Sequence, residues 1–264
     1  MAPEHKRNRK PKNTRGISPV ISTVIISGTL LIVLAIASFV SMNILELQLA
    51  STEFEQAKSN MLLLDEVIHD VAMRRGSGGY VQFNQRAGGI GIKEEEMTFK
   101  VIVNGSQIYP EEGESIKLIS IIYRGGSFAS GSEADLRGNK TALIVGMGDM
   151  LSYLRVEFDN GIIIKLDYNR IRVVDMGEFE INGTPTKFVG INFIRLIMGN
   201  MGGSGTINFK VKNISNSPKT FENEGGTIEL TVQRDSQTET RQIQSIAAKT
   251  AIIFTEILIE VSTS

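Results

Sequence analysis

No cysteine occurs in the chain, which excludes disulfide frameworks, thiolate metal sites and cysteine nucleophiles. A head exposed outside the cell would have to hold itself by burial and hydrogen bonds alone. Histidine is nearly as scarce: His5 lies in a basic arm and His69 stands alone in a helical stretch. A Ser-His-Asp arrangement would have to be built on His69, and a helix-surface or packing role is the simpler reading. The glycine clusters RGSGGY (75–80), GGIGI (88–92) and GMGDM (146–150) lack the strand, loop and helix order of a phosphate-binding loop and read as turns or bulges. Glu94-Glu95-Glu96 and Glu111-Glu112-Gly113-Glu114 match no EF-hand spacing and read as solvated charge. No catalytic residues, cofactor or metal centre are expected, so the chain is not read as an enzyme.

Charge is absent over a long stretch: no ionisable side chain occurs from Ile17 to Leu45. As a helix these residues span ~43 Å, more than the ~30 Å hydrocarbon core of a bilayer. Immediately before them stand Lys6, Arg7, Arg9, Lys10, Lys12 and Arg15 against Glu4, about +5, which leaves about −6 for the remainder. A basic arm of this kind binds nucleic acid in some proteins. Abutting a membrane-length segment, it reads instead as the positive side of a membrane helix, with no nucleic-acid partner. A secretory signal cut near Ala35-Ile36-Ala37 would need an apolar stretch of ~7–15 residues, and this one is longer and continues past that point. Pro19 is tolerable in the first helical turn. Ser and Thr side chains such as Ser22, Thr23 and Ser27 suit close helix approach.

The helical period then continues. Leu47, Ala50, Phe54, Ala57, Met61, Leu64, Ile68 and Val71 recur at steps of three and four, a stripe for packing on neighbouring helices or on the chain's own head. Arg74-Arg75 suit a helix C-terminus before Gly76. From Tyr80 the period becomes alternating, as in Phe99/Val101/Val103, Ile207/Phe209/Val211, Ile228/Leu230/Val232 and Ile257/Ile259/Val261. Asn104-Gly105 and Asp159-Asn160-Gly161 mark tight turns. The fold class expected is α+β: a long N-terminal hydrophobic, then amphipathic helix followed by an antiparallel β-sandwich-like head. The segments are a basic leader (1–16), the helix (17–75) and the β-rich head (76–264), with a subdivision near 178–205. Four Asn-x-Ser/Thr sequons, at Asn104, Asn139, Asn182 and Asn213, all fall in the head, and glycans are expected on one or more of them.

The stretch Thr14-Arg15-Gly16-Ile17-Ser18-Pro19-Val20-Ile21-Ser22-Thr23 resembles the class III signal of archaeal type IV pilins. That resemblance implies cleavage by a prepilin peptidase after Gly16, with Arg15 before the cut and Ile17 as the mature N-terminus. The basic leader would be lost and the apolar helix kept, first as a membrane anchor and then as filament core packed on copies of the chain or on co-pilin subunits. Localisation would pass from cell membrane to surface filament, with adhesion as one role of the head. Bacterial pilins usually carry a glutamate at the fifth mature position, where this chain has Ile21; archaeal members commonly lack it. The alternative is a membrane-tethered extracellular binding protein that does not polymerise.

Overall fold

A computed structural model describes residues 19–114 and 116–264. Among these residues the one helix, α1 (Pro19–Ala72), is followed by β1 (Gly78–Gln85), β2 (Gly89–Glu95), β3 (Phe99–Val103), β4 (Ser106–Tyr109) and β5 (Leu118–Arg124). Then come β6 (Ala134–Arg137), β7 (Ile144–Val145), β8 (Tyr153–Phe158), β9 (Ile162–Asp167) and β10 (Ile171–Ile181). The last five are β11 (Thr184–Met198), β12 (Gly205–Glu224), β13 (Ile228–Arg234), β14 (Gln237–Ile243) and β15 (Lys249–Thr263). The chain is α+β, as its two hydrophobic periods require.

The strands form three sheets, of order β1-β12-β15-β11-β10-β7, β14-β13-β3-β4 and β2-β5-β9-β8-β6. The two smaller sheets are antiparallel. The six-stranded sheet departs from the antiparallel expectation, because β11 runs parallel to β15 and β10 parallel to β7. Asn104 and Gly105 adopt φ of 48° and 80° between β3 and β4, the left-handed pair that a two-residue hairpin needs.

Burial separates two hydrophobic cores. The first joins α1 to the five-stranded sheet and to one part of the six-stranded sheet; the second joins the four-stranded sheet to another part of the same six-stranded sheet. On β11, Ile191 and Phe193 enter the second core and Ile194 and Leu196 the first; on β15, Ile252 and Phe254 enter the second and Ile257, Ile259 and Val261 the first. Side chains on a strand alternate faces, so the change from one residue parity to the other is a change of face. The long central strands therefore serve both cores from opposite sides.

Two expected boundaries move. The chain divides into compact units between Glu46 and Leu47, so the second half of α1 belongs to the head, which does not begin at residue 76. Residues 178–205 do not subdivide the head: β11 occupies most of that interval and is paired on both sides, with β10 and with β15. The turn residues there close the β10–β11 hairpin and lead into β12. Gly78 and Gly79, expected in a turn or bulge, open β1, and Gly89–Gly91 lie inside β2, whereas Gly146–Asp149 do form a turn.

Candidate functional site

The first half of α1 is apolar and uncovered. Val20, Leu31, Phe39 and Met42 are each about two-thirds exposed or more, and by length and composition this helix is long and apolar enough to cross a membrane. Leaving one such side chain in water rather than buried costs about 1.5–3 kcal/mol. The segment is compatible with membrane anchoring. Two of its polar side chains bond back to the helix itself, as an apolar surrounding favours: Thr29 Oγ1 donates to the Ile26 carbonyl at 2.9 Å and Asn43 Nδ2 to that of Phe39 at 3.0 Å. The cleavage-site residues Arg15, Gly16 and Ile17 lie outside the described residues.

The second half of α1 is consumed by the head. Ala50, Phe54, Ala57, Met61, Leu64, Ile68 and Val71 are all buried, and only Leu47 of the stripe is exposed. From Phe54 onward these side chains are part of the first core. Of the two partners open to the stripe, the chain's own head takes it: seven of its eight side chains are buried, six of them in the first core. Any contact with neighbouring helices falls to the uncovered half before it.

Three polar locks hold this half of the helix. Glu53, buried beside the stripe, accepts from the backbone N–H groups of Arg86, Ala87 and Gly88 at 3.2, 3.0 and 3.2 Å, and from the Tyr123 hydroxyl at 3.0 Å. Burial, and then the bond to this carboxylate, push the Tyr123 phenol well above its ordinary value. One turn beyond Met61, Asp65 accepts from Arg137 Nη1 at 2.9 Å and from the Tyr168 hydroxyl, and Arg137 Nη2 reaches Glu66 at 3.0 Å. Complete burial, then the negative Asp65, raise the Tyr168 phenol. At the helix end, Asn213 Nδ2 donates to the carbonyls of Val71 and Ala72 at 3.0 and 3.3 Å, groups that a helix terminus leaves without intrahelical partners.

That last lock overturns one glycosylation candidate. Asn213 is 1 % exposed, its amide nitrogen faces the helix end, and it lies at a bulge in β12; no transferase reaches it in the folded head. The other three are exposed. Asn104 and Asn182 adopt φ of 48° and 52° at hairpin tips, and Asn139 Oδ1 accepts from the Thr141 N–H and hydroxyl, each at 3.0 Å. The acidic runs do not converge: Glu95 pairs with buried Lys165, and Glu111 with Lys219 on β12. Among the described residues no group of three or more acidic, histidine or cysteine side chains is placed to hold a metal ion.

Sequence reasoning missed Glu53 and Asp65 as anchors. Their positions carried a signal: Glu53 is one helical turn before Ala57, and Asp65 one turn after Met61, so both carboxylates border the apolar stripe and must meet partners there. Compared with protein-family models, curated proteins and solved structures, the chain matches none.

Proposed function

We propose that the chain is a structural subunit, major or minor, of an archaeal type IV pilus-like surface filament, made as a membrane precursor and cut by prepilin peptidase after Gly16. The observation that carries this reading is the uncharged, uncovered first half of α1 directly behind a basic segment that ends at Arg15-Gly16. A helix of that kind satisfies two surroundings in succession, lipid before assembly and the helices of other subunits after it. The head, proposed to be built like a sandwich with its sheets face to face, would form the outer part of the filament and serve adhesion.

Burial of the outer stripe favours a second reading, a membrane-tethered binding protein that stays unpolymerised. With seven stripe residues sealed in the head, the length of the amphipathic continuation is explained without any filament neighbour. One experiment separates the two: filaments sheared from cells are imaged by electron microscopy and their proteins sequenced by mass spectrometry. The filament reading requires this chain in the filaments with Ile17 as its first residue. Finding it only in membranes supports the tether, and finding Met1 or Ser38 at its start removes the peptidase step. Gly16→Val should leave the chain full-length.

A further inference from the structure

Opposite the second core, the six-stranded sheet presents a face of unusual composition where β10, β11, β15 and β12 lie side by side. Pairing places Ile181 opposite Thr184, Phe179 opposite Thr186, Thr186 beside Lys249, Phe188 beside Ala251, and Ala251 opposite Glu222. The second core takes Ile191 and Phe193 from β11 and Ile252 and Phe254 from β15; by alternation Thr186, Phe188, Ala251 and Ile253 stand on the other face.

Two adjoining hollows occupy that face. One, of ≈ 300 Å³, is lined by Asn182, Thr186, Thr220, Glu222 and Lys249, with Ala251 among them. The other, of ≈ 500 Å³, is formed by Met176, Phe179, Phe188 and Ile253. Ile181 and Phe188 border both. Phe179 and Phe188 meet edge to face with ring centres 5.8 Å apart, and Phe179 remains 55 % exposed.

A sugar ring has an apolar C–H face and a rim of hydroxyls that donate and accept together. Its recognition needs an aromatic surface beside a mixed set of hydroxyl, amide, carboxylate and ammonium groups. Both halves are present here, side by side. An anion would ask for more than Lys249 next to Glu222, and a metal ion for more carboxylates. At the lip stands Asn182 of the Asn182-Gly183-Thr184 sequon, exposed in its turn. We propose that this groove holds a saccharide. The same chemistry fits a glycan attached to Asn182 itself or one carried by another molecule. The inference takes from the filament reading only that the head is exported.

The test uses the full chain, produced without glycan transfer and held in a detergent that contains no sugar, with methionine and isoleucine methyl groups labelled for NMR. Chitotriose, maltotriose and mannotriose are titrated in turn. Saturable shifts of the Met176, Ile181 and Ile253 methyls are expected with at least one of them. Phe188→Ala and Glu222→Gln should each weaken that binding tenfold or more while the core methyls of Ile191 and Ile259 stay in place. Glycopeptide mapping of native protein distinguishes the sources: sugar on Asn182 that already shifts the three methyls assigns the attached glycan, and a bare Asn182 with saturable binding assigns an external one. The proposal falls if no trisaccharide moves these methyls and native Asn182 is bare, or carries a sugar that leaves them unmoved. It falls equally if they move only with protein concentration, which would make the face a self-association surface. A chain that binds sugar but never appears in sheared filaments keeps this proposal and loses the filament reading.

Discussion

Asn213 Nδ2 lies 3.0 Å from the carbonyl oxygen of Val71, so a residue in the middle of a strand terminates a helix 142 positions earlier in the chain. Its backbone joins in: the Gly76 N–H donates to the Asn213 carbonyl and the Asn213 N–H to that of Ser77. Asn213→Ala removes the side-chain donor of the Ala72 carbonyl and one of the donors of the Val71 carbonyl, which keeps the Ser77 hydroxyl and the Arg74 N–H, at an expected cost of about 1–3 kcal/mol. Thermal unfolding of the variant should show the loss, and peptide mapping of native protein should find Asn213 unmodified.

Glu53 and Tyr123 should prove coupled. Tyr123→Phe removes one hydrogen bond, for about 1 kcal/mol, whereas Glu53→Ala strips three backbone N–H groups and a phenol of their acceptor, for about 2–4 kcal/mol. The double variant should be less destabilised than the sum, by about 0.5–3 kcal/mol. Strict additivity in denaturant titrations would mean that the phenol contributes nothing through the carboxylate.

Alkali should destabilise the head before it denatures chains generally. Burial and neighbouring carboxylates raise the phenols of Tyr123, Tyr168 and Tyr153, the last to about 12. Below pH ~10 both folded and unfolded chains hold these protons and the full contribution is present. Above it the unfolded chain releases them first, so stability falls as pH rises, until Tyr153 itself ionises in the folded state near 12. This contribution to unfolding midpoints should hold level from pH 8 to about 10 and decline above it, and Tyr168→Phe should make the decline shallower.

Truncation should locate the head. A chain beginning at Leu47 retains every buried stripe residue and is expected to be soluble and folded; one beginning at Ser77 lacks Phe54, Met61, Leu64 and Ile68, each contributing about 1.5–3 kcal/mol by burial, and should not fold. Ala57→Glu, harmless to an isolated head if the stripe faced other subunits, should instead unfold it, because Ala57 is 3 % exposed. Circular dichroism of the three proteins decides the matter.

In the uncovered half, Ile32→Asp should cost ~3 kcal/mol or more in a membrane. Carbonate extraction measures insertion, and filament recovery then measures assembly in the fraction that inserted. Normal filaments from such a variant would show that this surface is not in a helical core.

The helix and most alternating strands were legible because each depends on local periodicity: β3, part of β12, β13 and much of β15 lie where Phe99/Val101, Ile207/Phe209, Ile228/Leu230 and Ile257/Ile259 pointed. What the stripe faced was not legible, because an apolar face records that it is buried and not by what. The parallel β11–β15 pair escaped for a related reason: its register is set by partners more than fifty residues away. Asn213 was misread because its sequon is a three-residue pattern, while its burial follows from the meeting of helix end and strand bulge. Glu53 and Asp65 were readable as acids bordering an apolar stripe, but their partners on β1–β2 loop residues, β5 and β6 were not.

The position of β15 also bears on the order in which the protein comes into being. Residues 249–263 pair on both sides along the middle of the six-stranded sheet and supply side chains to both cores. Neither core is closed until that segment has been synthesised. A growing chain therefore keeps its strands unpaired in the centre of the sheet until its last residues arrive, with Val211, Ile191 and Phe193 waiting for their neighbours. Such long-range closure is slow. Losing the last dozen residues would not trim an edge; it would leave two hydrophobic interiors open at once.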